Sequence, residues 1–306
     1  MNTTTTATLP AVDLSTFSAS KLSSSALIVN LSLSVWTGRK LDKRVSEEVD
    51  QAKSTRTRAG NYHKNLLAGS GKLEQITKIA NACRAWLYST TQPWGDNGDR
   101  LLPVSSLLDF KSRLADYEMQ FGTAVNDFLN DYDTLVAAAA FQLGDLFNRE
   151  DYPTRESIEG KFGFRYSLTP LPQAGDFRVD VGNDGLRELQ DQYERVMHDS
   201  VTGAMSEAWE RLHEVLSKMS ERLADDFDEN GDVKRKIFRD SLIDNAVEIC
   251  GLLKHFNITG DLRMDEMRRQ LEDTLRTVDA QSLRDSDHLR QQTKAKVDAL
   301  LDKFSM

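Results

Sequence analysis

The chain has 306 residues, enough for one large or two modest domains. Hydrophobic content of 39%, charged content of 28% and only 6 prolines describe a polar-leaning chain built from long uninterrupted elements. Its formal net charge of -9 argues against nucleic-acid binding by the whole surface, and its apolar runs, Ala26 to Val29 among them, are far too short to span a bilayer.

Residues 1–22 read as a flexible Thr/Ser-rich tail that lacks the early basic region of a secretory signal, so a cytoplasmic protein is expected. Val29, Leu31, Leu33 and Val35 then alternate with polar residues, a period-two strand signal. After a turn at Gly38, a basic, polar helix is predicted from Lys40 to about Arg58, with Gly60 breaking it. Ile76, Ile79, Ala80, Cys83 and Leu87 predict a second helix from Leu73 to about Tyr88, followed by a loop through Pro93, Gly95 and Gly98.

A long helix is predicted from Val104 to Leu143, striped by Leu107, Leu114, Tyr117, Phe121, Val125, Phe128, Tyr132 and Val136. A short helix follows Pro153 and closes at Gly160. Phe162, Phe164, Tyr166 and Leu168 alternate again, as do Phe177, Val179 and Val181, which suggests an antiparallel hairpin across the turn-rich 170–176 stretch. With 29–35 it would make a small three-stranded sheet.

Leu186, Leu189, Tyr193, Met197, Val201, Met205, Trp209, Leu212, Leu216, Met219 and Leu223 then advance in threes and fours without a proline. This predicts one helix over 184–224, about 60 Å long at 1.5 Å per residue. An acidic turn at 225–232 leads to helices predicted from Val233 to Phe256, Asp261 to Val278 and Ser282 to Phe304. The expected fold is mainly α, an elongated bundle of two long antiparallel helices packed together, with a small three-stranded antiparallel sheet. The expected organisation is a tail (1–22), a central body (23–232) and a C-terminal helical segment (233–306) packing on the long helices.

Near-motifs fail at their chemically necessary positions. Gly69-Ser70-Gly71-Lys72 resembles half a phosphate loop, but Leu66 stands where the first glycine belongs and Leu73 where the magnesium hydroxyl belongs. Asp226, Asp228, Asn230 and Asp232 begin a calcium loop whose twelfth position is Ile237 instead of glutamate. His213-Glu214 starts a zinc-protease motif, but Ser217 replaces the second histidine. Cys83 and Cys250 read as buried free thiols. No cofactor, metal or catalytic constellation is assigned.

The site-like feature is charge. Between Trp36 and Ser89 stand 11 Lys/Arg against 5 Asp/Glu, a local +6 that leaves -15 for the remainder. Trp36, Arg39, Lys40, Lys43, Arg44, Arg56, Arg58 and Lys64 form a candidate surface for an anionic partner, with Lys53, Tyr62 and His63 beside them. The competing reading is a solvated helix face, since Glu47, Glu48 and Asp50 interrupt the patch. A second candidate surface lies on the 184–224 stripe. Met197, Met205, Trp209 and Met219 suit helix–helix contact and predict self-association, unless the helices after Val233 cover them inside one chain.

At Val35-Trp36-Thr37-Gly38-Arg39-Lys40, Phe162-Gly163-Phe164-Arg165-Tyr166, Pro170-Leu171-Pro172 and Phe177-Arg178-Val179, the chain resembles an uncharacterised family of tailed-phage and prophage proteins, over roughly residues 25–280. The resemblance implies a viral product made in the host cytoplasm. Such genes often neighbour genes for MoxR-type AAA ATPases and von Willebrand-type proteins, which suggests an adaptor, substrate or scaffold of such a machine. It supplies no catalytic residues. The expected function is therefore a non-enzymatic scaffold or adaptor with an AAA ATPase as candidate partner. The alternative is a nucleic-acid-binding protein using 36–64. No membrane partner is expected.

Overall fold

The computed structural model describes residues 10–12, 14, 19–95, 97–172, 182–227, 233–276 and 278–305. In chain order the helices and strands are α1 (Ala19–Ser25), β1 (Ala26–Ser34), β2 (Arg39–Leu41), α2 (Lys43–Ala52), β3 (His63–Asn65), α3 (Gly71–Thr90), β4 (Gln92–Pro93), β5 (Arg100–Pro103), α4 (Leu107–Leu143), α5 (Arg155–Glu159), β6 (Gly163–Pro170), α6 (Gly182–Leu223), β7 (Asp225–Phe227), β8 (Val233–Arg235), α7 (Ser241–Phe256), α8 (Leu262–Leu275), α9 (Ala280–Asp285) and α10 (Asp287–Asp302). The protein is mainly helical, as the spacing of its apolar residues predicts. No described helix is long and apolar enough to cross a membrane.

The chain divides into two compact units, each discontinuous in sequence. Unit 1 comprises 1–30, 88–107 and 168–306; unit 2 comprises 31–87 and 108–167. The predicted boundary at 232 does not coincide with this division, since α6 and everything after it share unit 1. The two long helices also belong to different units, so each is the spine of its own core.

In unit 1, α6 packs on α7 and α10, and α7 packs on α8. Val201, Met205, Trp209, Leu212, Leu216 and Met219 are wholly buried, and Ala204 and Ala208 let the neighbouring helices approach closely. Arg290 of α10 is buried and closes the end of α6. Its guanidinium donates to the carbonyls of Leu223 (3.0 Å) and Arg222 (3.0 Å), acceptors that the C-terminus of α6 leaves orphaned, and to that of Lys236 (3.1 Å).

In unit 2, Leu73, Ile76 and Ala80 of α3 share a core with Phe121, Phe128, Tyr132 and Val136 of α4. Two tyrosines tie loops to it. Tyr132 Oη donates to the Pro153 carbonyl at 3.0 Å, and Tyr152 Oη to that of Leu66 at 2.7 Å.

The principal sheet has four strands in the order β4-β5-β1-β6. β5 pairs antiparallel with β1, Leu27 facing Leu102, and with β4, Gln92 facing Leu101. The predicted strands at 29–35 and 162–168 are present, whereas the one at 177–181 lies outside the described residues. β4 and β5 were not expected. β5 is four residues long and buried throughout, so it shows no period-two alternation.

Three predicted boundaries move. The basic helix runs only from Lys43 to Ala52, because residues 39–41 pair with 63–65 as an antiparallel ribbon. Residues 225–227 and 233–235 form a second ribbon, so the helix expected from Val233 begins at Ser241. The last helix is split at Ser286, whose Oγ accepts from the Leu289 amide and caps α10.

Candidate functional site

The basic segment forms an arm of unit 2, made of the β2–β3 ribbon with α2 and the 53–62 loop between its strands. Asp42 starts α2 by accepting the Val45 amide, while its own amide donates to the Tyr62 carbonyl at 2.9 Å. Ser46 Oγ accepts the Tyr62 amide at 2.9 Å. Asp50 organises the loop by accepting the Ala59 amide on its carboxylate (3.1 Å) and the Thr55 amide on its carbonyl (3.0 Å). Ser54, at φ +52, makes the sharp turn after the helix. The acidic residues that interrupt the patch are therefore partly its scaffolding.

Lys64 is not a surface cation. It is buried, and Nζ reaches Asp151 Oδ2 at 2.7 Å, Asp42 Oδ2 at 3.3 Å and the Leu146 carbonyl at 2.7 Å. The Val45 amide holds the Asp42 carboxyl below its ordinary value against the opposing effect of burial, and Lys64 lowers it further. Burial works against the charge on Lys64, but hydrogen bonds to Asp151 and Asp42 outweigh it and hold its pKa above the ordinary lysine value. Lys64 is thus a clasp joining the arm to the 146–151 turn, and its expected role as a partner contact is corrected. Trp36 is corrected likewise. It is buried against Phe128 and Tyr132, with centroids 6.3 and 6.2 Å away.

The other predicted cations remain in water. Arg44 bonds Glu48 at 3.4 Å, Arg58 bonds Glu47 at 3.4 Å, and Lys40 stands 4.0 Å from Asp151. Such exposed pairs are each worth about 0–1 kcal/mol and exchange readily for another anion. Arg39, Lys43, Lys53 and Arg56 are exposed and make no ion pair or side-chain hydrogen bond among the described residues. Tyr62 stands exposed beside them. Arg39 also borders a groove of about 470 Å³ lined in part by Leu67, Leu73 and Trp36.

The second predicted surface is absorbed into the fold. Met197, Met205, Trp209 and Met219 lie in the unit 1 core, and Trp209 meets Phe304 edge-on at 5.6 Å. The helices after Val233 cover the stripe within one chain, so these residues offer no surface for self-association.

The failed motifs have structural occupations. Lys72, the lysine of the phosphate-loop-like stretch, is ion-paired with Asp131 of α4. His213 packs its ring against Phe304 at 4.9 Å. Most of the calcium-loop-like residues, 228–232, lie outside the described residues. Both cysteines are buried, and burial pushes each thiol up to about 11. No family model matches the chain, and neither the curated proteins nor the solved structures yield a significant match.

Proposed function

We propose that this is a non-enzymatic interaction protein, a scaffold or adaptor of phage origin acting in a bacterial cytoplasm, and that it meets its partner through the cationic arm. The observation that carries this reading is the contrast within the arm. Lys64 and Asp42 are locked into a buried clasp, while Arg39, Lys43, Lys53 and Arg56 are exposed and have no carboxylate partner among the described residues. A fixed element that presents unneutralised charge suits recognition of an acidic surface and speeds encounter with it. The proposed partner is an acidic face of another protein, with an AAA ATPase as the first candidate.

The test is co-purification of the wild-type protein and of an Arg39→Glu/Lys43→Glu/Lys53→Glu/Arg56→Glu variant, with bound proteins identified by mass spectrometry. The reading expects one partner to be lost from the variant at unchanged melting temperature. An identical set of proteins from both would refute it.

The exposed Tyr62 beside these cations favours a second reading, binding of nucleic acid. Fluorescence anisotropy with a labelled thirty-nucleotide single strand and the matching duplex separates the two. Affinity that falls steeply with salt and vanishes in the four-residue variant would select nucleic acid.

A further inference from the structure

The groove beside the arm differs chemically from the arm itself. Its volume of about 470 Å³ lies within the range of ligand-sized clefts, roughly 300–1,000 Å³. The floor is apolar, made by Leu67, Leu73 and Trp36, all of which are buried. Two cations, Arg39 and Lys78, stand on the walls, and neither has an ion pair or a hydrogen bond to its side chain among the described residues. One anion, Glu74, shares the lining. It sits in the first turn of α3, where the positive end of the helix already offsets its charge.

One end of the groove is held by backbone geometry. Gly38 has φ +61, and a Cβ there would lie 2.6 Å from Leu73 Cδ2. The left-handed backbone here favours glycine, and a larger residue would add strain and force the Leu73 side chain to shift.

We infer that this groove binds a short acidic segment of the partner protein, with an apolar side chain seated on Leu67 and Leu73 and carboxylates against Arg39 and Lys78. The inference deepens the adaptor reading and rests on it. Charge complementarity selects an acidic ligand, and the apolar floor selects one with a hydrophobic anchor. The burial of Trp36 disfavours a nucleobase. Trp36 is buried, with the rings of Phe128 and Tyr132 6.3 and 6.2 Å away, so little of the indole is left exposed for a base to stack on.

The test selects random twelve-residue peptides displayed on filamentous phage against the wild-type protein, then measures binding of the synthetic consensus peptide to variants. Thr77 is exposed on the groove wall, so Thr77→Trp fills the groove without entering the core. Arg39→Glu/Lys78→Glu reverses the walls and serves if the tryptophan variant does not fold. Selected peptides should combine Asp or Glu with Leu, Ile or Phe, and the consensus should lose at least about tenfold in affinity on either change. Failure to enrich any peptide, enrichment of neutral or basic peptides, or binding indifferent to both variants would overturn the inference.

A Lys43→Glu/Lys53→Glu/Arg56→Glu variant leaves the groove lining intact. If it loses the cellular partner while Thr77→Trp keeps it, the arm reading stands and the groove inference falls. If neither variant loses the partner, both fall.

Discussion

Replacing Lys64 with methionine separates a clasp from a binding residue. Methionine keeps most of the side-chain length and apolar volume but removes the charge. Asp42 and Asp151, only 11% and 14% exposed, would then face each other with only the exposed Lys40, 4.0 Å from Asp151, to offset their charge. At an effective dielectric of about 20, each contact at near 3 Å is worth roughly 5 kcal/mol before desolvation is subtracted. Removing one partner of a buried pair leaves uncompensated charge and costs about 3–5 kcal/mol. Lys64→Met should therefore lower unfolding free energy by that amount in urea denaturation followed by circular dichroism. Adding Asp151→Asn should recover part of the loss, because it removes one of the stranded carboxylates. Partner or anion binding at a temperature where the variant stays folded should change little. A loss below about 1 kcal/mol together with weakened binding would show that Lys64 is a surface contact, and the clasp argument would be wrong.

The same clasp predicts a pH window. The lowered Asp42 pKa contributes stability that is present above its ordinary value of 3.8 and lost as pH falls through the folded value. The raised Lys64 pKa contributes stability that is present below its ordinary 10.5 and lost as pH rises through the folded value. Wild-type stability minus that of Lys64→Met should thus be flat between those limits and shrink outside them; a strong slope near neutrality would contradict the assignment. Trp209→Ala should cost about 3–5 kcal/mol with no change of mass by light scattering, since the ring fills the unit 1 core. Trp209→Phe should cost less, because it also removes an indole N–H that is buried without a hydrogen-bond partner among the described residues. A fall in mass without loss of stability would restore the self-association surface. Both thiols should resist a disulfide reagent at pH 8 in the folded protein and react together after denaturation, and rapid labelling of Cys83 or Cys250 in the native state would show that the site opens.

Helix-period spacing located α3, α4 and α6 to within a few residues, because their apolar stripes are long and a buried face leaves a repeated mark. What failed was set by distant partners. The helix expected from Lys40 to Arg58 loses its first turn to a ribbon with residues 63–65. The helix expected from Val233 is displaced by the 225–235 ribbon. The stripe on α6 showed that a partner must cover it, but the spacing is the same whether that partner is α4, α7 or a second chain. The basic segment was visible as composition, yet Lys64 is distinguished from Lys43 by Asp151, 87 residues away. Trp36 read as an aromatic flanking a charged surface because nothing local marks it as core. Arg39 was identified by its neighbours in sequence, whereas Lys78, across the groove, stood in a helix read only for its apolar face.

The central claim is that the arm presents its cations to a protein partner, and site-specific photo-crosslinking in living cells tests it most directly. A benzoylphenylalanine at Thr57 lies in the exposed loop between Arg56 and Arg58 and removes none of the arm's charge. The same probe at exposed Lys111 of α4 serves as the control. The account predicts one dominant covalent adduct to an acidic protein from position 57, absent from position 111 and abolished by charge reversal at Arg39, Lys43, Lys53 and Arg56. Equal adducts from both positions, no adduct from position 57, or crosslinking to nucleic acid alone would contradict it.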